Sequence, residues 1–153
     1  MEKGLNIFFT SILVNALEKL KADSKAEWGI MTAKQMIIHL IQSSKMMHLG
    51  NTKLLIKEKN IEKAIAFLYT DKAISRGIKI PKDIGYNFED GITEDVEQLK
   101  EELLESSNAM LIFLSENTDF KSIHPFFGEL TAEQWLLFQK KHFTHHLSQF
   151  NLL

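Results

Sequence analysis

The stretch TAEQWLLFQKKHFTHHLSQF, residues 131–150, predicts a helix whose buried face carries histidines. Thr131 stands three positions before Gln134, which is the spacing of a capping box at a helix N-terminus. The residues that then recur at helical intervals on one side are Trp135, Phe138, His142, Gln149 and either His145 or His146. We therefore expect imidazole side chains to face the protein interior.

The same periodicity predicts three further long helices and a short one. The predicted long helices span 5–20, 32–49 and 93–116, and the short one lies within 60–77. Thr32 and Gln35 repeat the capping-box spacing at the start of the second helix. Thr93 is expected to open the third, with acidic residues in its first turn, where the helix dipole favours them.

The connections between these helices decide the architecture. Residues 77–91, GIKIPKDIGYNFEDG, hold three glycines and Pro81 and predict a long surface loop that could cover a site. Residues 117–130 are interpreted as a further connection, because the chain shows almost no strand alternation. We therefore expect an all-α fold, an antiparallel four-helix bundle with one extra short helix, as a single domain over 1–153. The long loop could cross the bundle, so simple up-down-up-down order does not follow.

Composition excludes several classes of function. The net charge of -2, without a sustained basic run, argues against nucleic-acid binding. The longest apolar-leaning stretch, residues 5–17, is interrupted by polar residues and shorter than the roughly 20 residues of a membrane-spanning helix. Cysteine is absent, which removes disulfides, thiolate metal sites and a cysteine nucleophile. With no organised signal peptide, a cytoplasmic location is the expectation. A homodimer is compatible with the sequence.

Three histidines form a candidate metal site. His142 and His146 are four residues apart, so their rings project from adjacent turns of one helix face. That pair alone is a weak signal. The stronger one is His39, which lies inside the apolar stripe of the second predicted helix. A single divalent cation would satisfy all three buried imidazoles, each of which would otherwise cost about 1 to 3 kcal/mol if left unpaired.

Less specific explanations remain open for these residues. A lone histidine on an apolar face is usually bonded to a carbonyl group, and the helix dipole favours histidine near a helix C-terminus. The aromatic residues Trp28, Phe8, Phe9, Phe126 and Phe127 are interpreted as packing residues. Other site chemistries are not indicated, since Phe143 replaces the glutamate of His-Glu-x-x-His and Gln139 replaces that of Glu-x-x-His.

Two segments resemble a known family. MTAKQMIIHLIQS, residues 31–43, after a tryptophan, and HPFFGELTAEQWLLFQKKHFTHHLSQF, residues 124–150, resemble the DinB superfamily of YfiT-like metal-dependent hydrolases. Within it, the ending resembles a branch classed as a domain of unknown function. The resemblance implies an up-down-down-up four-helix bundle and a nickel or zinc ion held by His39, His142 and His146. It also implies that His145 is not a ligand.

Relatives in that superfamily include enzymes that use a small-molecule thiol, and so the resemblance implies a thiol-dependent transferase or a hydrolase. In this hypothesis the loop from Pro81 to Gly91 shapes substrate access. Candidates to contact the ligating histidines or a substrate are His124, Gln149 and Gln42. The alternative is a non-enzymatic, stress-related or structural bundle, for which a fourth protein ligand such as His145 would close the site.

Overall fold

Helices make up most of the protein. The computed structural model describes residues 3–49, 53–78 and 92–153. Its helical elements are α1 (Lys3–Ile7), a π-helical turn (Phe8–Ile12), α2 (Leu13–Lys19), α3 (Ala33–Lys45), α4 (Ile61–Leu68), α5 (Val96–Glu116) and α6 (Ala132–Gln149). Short 3₁₀ turns at Met46–His48 and Glu58–Asn60 follow α3 and precede α4. The first three elements run on without a break, which agrees with the helix predicted over 5–20.

The helix starts follow the predicted capping chemistry with one correction. Thr32 and Thr131 both accept a hydrogen bond from the backbone N–H three residues later, and the glutamine at that position bonds back in each case. The predicted start of α5 at Thr93 is wrong. Asp95 is the N-cap, because its carboxylate accepts from the Gln98 backbone N–H at 2.9 Å.

An antiparallel hairpin corrects the all-α prediction. Strands β1 (Lys121–His124) and β2 (Gly128–Thr131) pair within the segment interpreted as a connection. The Phe127 N–H donates to the His124 carbonyl and closes the turn, and Gly128 has a φ of +77°, a left-handed conformation that favours glycine. The hairpin leads directly into α6.

One hydrophobic core joins these elements. Its largest fully buried side chains include Trp135 and Phe143 from α6 and Leu103 from α5. Helix α3 packs chiefly along α5, while α6 contacts α1, α3, α4, α5 and β2. Helix α6 is therefore central, and the side chains on its buried face meet those of α3.

One prediction falls outside the described residues. The loop expected to shape access, from Pro81 to Gly91, lies there. In the described part of the chain, every helix is too short or too polar to cross a membrane.

Candidate metal centre

Helices α3 and α6 bring three histidines to one point. The Nε2 atoms of His39 and His142 are 2.8 Å apart, and those of His142 and His146 are 3.1 Å apart. The atoms that these rings could offer to a metal all lie within 4.8 Å of one another. His39 and His146 are buried and His142 is partly exposed. This cluster could therefore hold a metal ion.

A hydrogen-bond chain orients His146. The Gln149 side-chain amide donates through Nε2 to the Trp28 carbonyl at 2.7 Å, so its Oε1 faces the other way. That oxygen lies 2.9 Å from His146 Nδ1 and can only accept. The proton of neutral His146 is therefore on Nδ1, which leaves the Nε2 lone pair directed at the cluster.

A second chain orients His142 in the same way. Gln139 donates through Nε2 to the Ser43 carbonyl at 2.7 Å, and its Oε1 accepts from the Ser43 hydroxyl at 3.0 Å. The single hydroxyl proton is then used, so Ser43 Oγ accepts from His142 Nδ1 at 2.9 Å. The Nε2 of His142 likewise carries a lone pair. Two lone pairs thus point to the cluster, where they could be offered to a cation.

Burial keeps the three imidazoles neutral. Desolvation lowers the pKa of His39 from 6.5 to about 3, with a smaller effect from the neighbouring His146 charge. Desolvation lowers the pKa of His146 to about 4, and it also lowers the pKa of His142 well below 6.5. A proton is therefore disfavoured at the cluster near neutral pH, whereas neutral imidazole is the form that binds metals.

A cavity of about 490 Å³ adjoins the three histidines. The aromatic residues Trp28, Phe126 and Phe127, which were interpreted as packing residues, line it together with Phe138. By contrast, Phe8 and Phe9 are buried in the core, as predicted. The candidate centre therefore has an open side of a size that suits a small molecule.

The other candidate residues take different positions. His124 lines the cavity and Gln149 contacts both His146 and the cavity. Gln42 is not among the described residues that line it. His145 is outside the three-histidine group and packs edge-on against Trp28 with ring centroids 5.9 Å apart.

Sequence reasoning identified Gln149 but missed two other residues, Ser43 and Gln139, that support the histidines. Ser43 lies four residues after His39 on α3, and Gln139 lies three before His142 on α6, so helical spacing from a candidate ligand was the available signal. Gln139 had been interpreted only as evidence against a Glu-x-x-His site. The sequence also gave no signal for Gly29. A Cβ atom at this position would lie 2.6 Å from Gln149 Nε2, and that closeness arises only in the folded chain.

The chain matches no curated protein and no solved structure. One family model does match it, described as Protein of unknown function (DUF1569), over residues 11–152. This match covers both segments that carry the three histidines, and it includes both glutamines whose hydrogen bonds orient them. The protein therefore belongs to this family of unknown function.

Proposed function

We propose that the protein is a metal-dependent enzyme of the DinB/YfiT-like superfamily, acting as a thiol-dependent transferase or a hydrolase. Residues 1–153 would form a single four-helix bundle of up-down-down-up topology, with α1 and α2 as one long helix beside α3, α5 and α6. Contacts of α6 with α1, α3 and α5, and of α3 with α5, support this arrangement.

The observation that carries the proposal is the orientation of two Nε2 lone pairs by two separate hydrogen-bond chains. A buried histidine with only a packing role can bond its polar partner through either ring nitrogen. His142 and His146 both bond theirs through Nδ1, which leaves both Nε2 atoms directed at the cluster. A supporting partner on the other ring nitrogen is typical of metal-ligating histidines. Three neutral nitrogen ligands suit nickel or zinc.

The structural alternative needs a closed site. Catalytic zinc sites keep one position open, and structural sites use a fourth protein ligand. Among the described residues, the group that could hold the ion contains His39, His142 and His146 alone, and the cavity adjoins it. These features favour the enzyme. When bound, the ion would lower the pKa of a water molecule or hold a thiolate, while the protein supplies the ligands and the apolar walls.

Metal content tests the proposal directly. Elemental mass spectrometry of untagged protein should find about one nickel or zinc ion per chain, as expected for a single three-ligand site. His39→Ala and His142→Ala should lose the ion. Two other histidines provide matched controls: His145→Ala and His48→Ala should retain it, because neither is in the cluster. Retention of the ion by the first pair, or failure of the native chain to bind any on titration, would refute the proposal.

The enzymatic part needs a separate measurement. The metal-loaded protein should accelerate transfer of a small thiol to an aromatic electrophile, or hydrolysis of an ester or amide, and His142→Ala should abolish the acceleration. If the ion is bound stoichiometrically but neither reaction is accelerated and added thiol never perturbs the spectrum of the cobalt-loaded protein, the structural alternative is favoured instead.

A further inference from the structure

His124 holds a buried hydrogen-bond donor that the metal cluster does not use. Its Nδ1 accepts from the Phe126 backbone N–H at 3.1 Å, so the proton of the neutral ring is on Nε2. That Nε2 is buried, and no hydrogen-bond partner for it exists among the described residues. Because buried donors are normally paired, this one indicates a missing acceptor.

The residue that carries this donor lines the same cavity as the three histidines. His124 lines it along with all three, and its ring packs against Phe138 with centroids 4.2 Å apart. Phe138 in turn stacks on His142 at 5.3 Å with an interplanar angle of 21°. A single aromatic ring therefore separates His124 from a proposed ligand of the metal.

The hairpin turn holds His124 in place. His124 ends β1, and the Pro125 carbonyl beside it accepts the backbone N–H groups of Leu55 and Ile56 at 2.8 and 3.2 Å. His124 as a whole residue is only 2% exposed. Since the backbone on both sides is bonded, the Nε2–H is presented in a fixed position.

The rest of the cavity wall is mainly apolar. Its apolar members include Trp28, Met31, Phe67, Phe126, Phe127 and Phe138. Such walls favour a ligand with an apolar body, and a few fixed polar groups then determine its orientation.

Resting on the proposed metal site, we propose that the substrate is an apolar molecule with a carbonyl or carboxylate oxygen, and that His124 donates its Nε2–H to that oxygen. The apolar part packs against the aromatic walls, and the oxygen accepts from His124 within the cavity that adjoins the three-histidine cluster. His124 is thus a substrate-binding residue that selects for an acceptor atom.

Three simple probes separate the contribution of apolar packing from that of the His124 hydrogen bond. The full chain is loaded with cobalt(II), whose visible absorption reports on its ligands, and is titrated with benzoate, acetate and imidazole. Benzoate and acetate both offer an acceptor oxygen, and benzoate adds an apolar ring, so benzoate should bind at least about tenfold more tightly than acetate. Imidazole is the control, because once one nitrogen binds the metal it offers only an N–H.

Two variants test the donor. His124→Phe keeps a ring of similar shape without the donor and should weaken benzoate binding about tenfold or more, while leaving imidazole binding unchanged. His124→Gln returns an N–H and should restore benzoate affinity to within about threefold of the native value. Cobalt stoichiometry and circular dichroism, measured first, should be the same for all three proteins.

The outcomes distinguish the two proposals. If all three proteins bind cobalt and benzoate affinity is the same in each, or if His124→Phe weakens benzoate and imidazole equally, the inference about His124 is overturned and the metal site stands. If the native chain binds no cobalt, the metal site fails and the inference about its substrate fails with it.

Discussion

Gly29 is expected to control the metal site from outside it. It has a φ of +79°, and a Cβ atom built there would lie 2.6 Å from Gln149 Nε2. Gln149 cannot move away cheaply, because it is buried and bonded at both ends of its amide, to the Trp28 carbonyl and to His146. Gly29→Ala should therefore disturb the group that orients a proposed ligand.

Gly77 provides a matched control for the backbone cost. Its φ is +74°, and no described atom lies within 4 Å of the Cβ that alanine would add. A left-handed backbone costs a non-glycine residue about 1 to 2 kcal/mol, which both variants should show. Gly29→Ala should lower the free energy of unfolding by about 1 to 3 kcal/mol more, because it also displaces buried hydrogen bonds.

Metal affinity distinguishes the two glycines more sharply than stability does. Loss of a partner that supports a ligating histidine typically costs about 10- to 100-fold in affinity, so Gly29→Ala should bind zinc that much more weakly. Gly77→Ala should bind zinc like the native protein. Competition titration with a chromogenic chelator measures the affinities, and urea unfolding measures the stabilities. Equal zinc affinity in the two variants would refute the contact between Gly29 and Gln149 as a determinant of the site.

Three further predictions concern stability. Ser43→Ala removes the hydroxyl that bonds the Gln139 amide and the His142 imidazole, and should lower the free energy of unfolding in urea by about 2 kcal/mol. The control Ser115→Ala, at an exposed position, should cause no measurable loss. Asp95→Ala should lower the free energy of unfolding by about 1 kcal/mol, because it removes the N-cap of α5, and Thr93→Ala should lower it by much less. A larger loss for Thr93→Ala would indicate that α5 starts at Thr93, as the sequence predicted. Because burial lowers the pKa of His39 from 6.5 to about 3, the unfolded chain binds a proton first as the pH falls. His39 should therefore not change the stability of the metal-free protein above pH 6.5. Below pH 6.5 it should lower the free energy of unfolding by up to about 1.4 kcal/mol per pH unit. Equal urea midpoints near pH 7.5 and 4.5 would contradict this.

The three histidines that cluster in the candidate site could be predicted from the sequence, but most of their supporting contacts could not. His142 and His146 share a face because helical geometry places residues four apart together, and His39 interrupts an apolar stripe. These are local signals. The bonds from Ser43 and Gln149 join α3 to α6 and α6 to the segment before α3, at sequence separations of 99 and 121 residues. No local pattern reports such a pairing.

The sequence alone determined where the long helices lie and which faces they bury, because apolar periodicity and capping residues act within a few positions of the chain. It did not determine the hairpin at Lys121–His124 and Gly128–Thr131, whose strands of four residues are too short to show alternation. Tertiary structure decided that hairpin, since Pro125 is bonded by Leu55 and Ile56 from a distant segment. It also decided that His124 and His142 line the same cavity, because packing between elements far apart in the chain sets their positions.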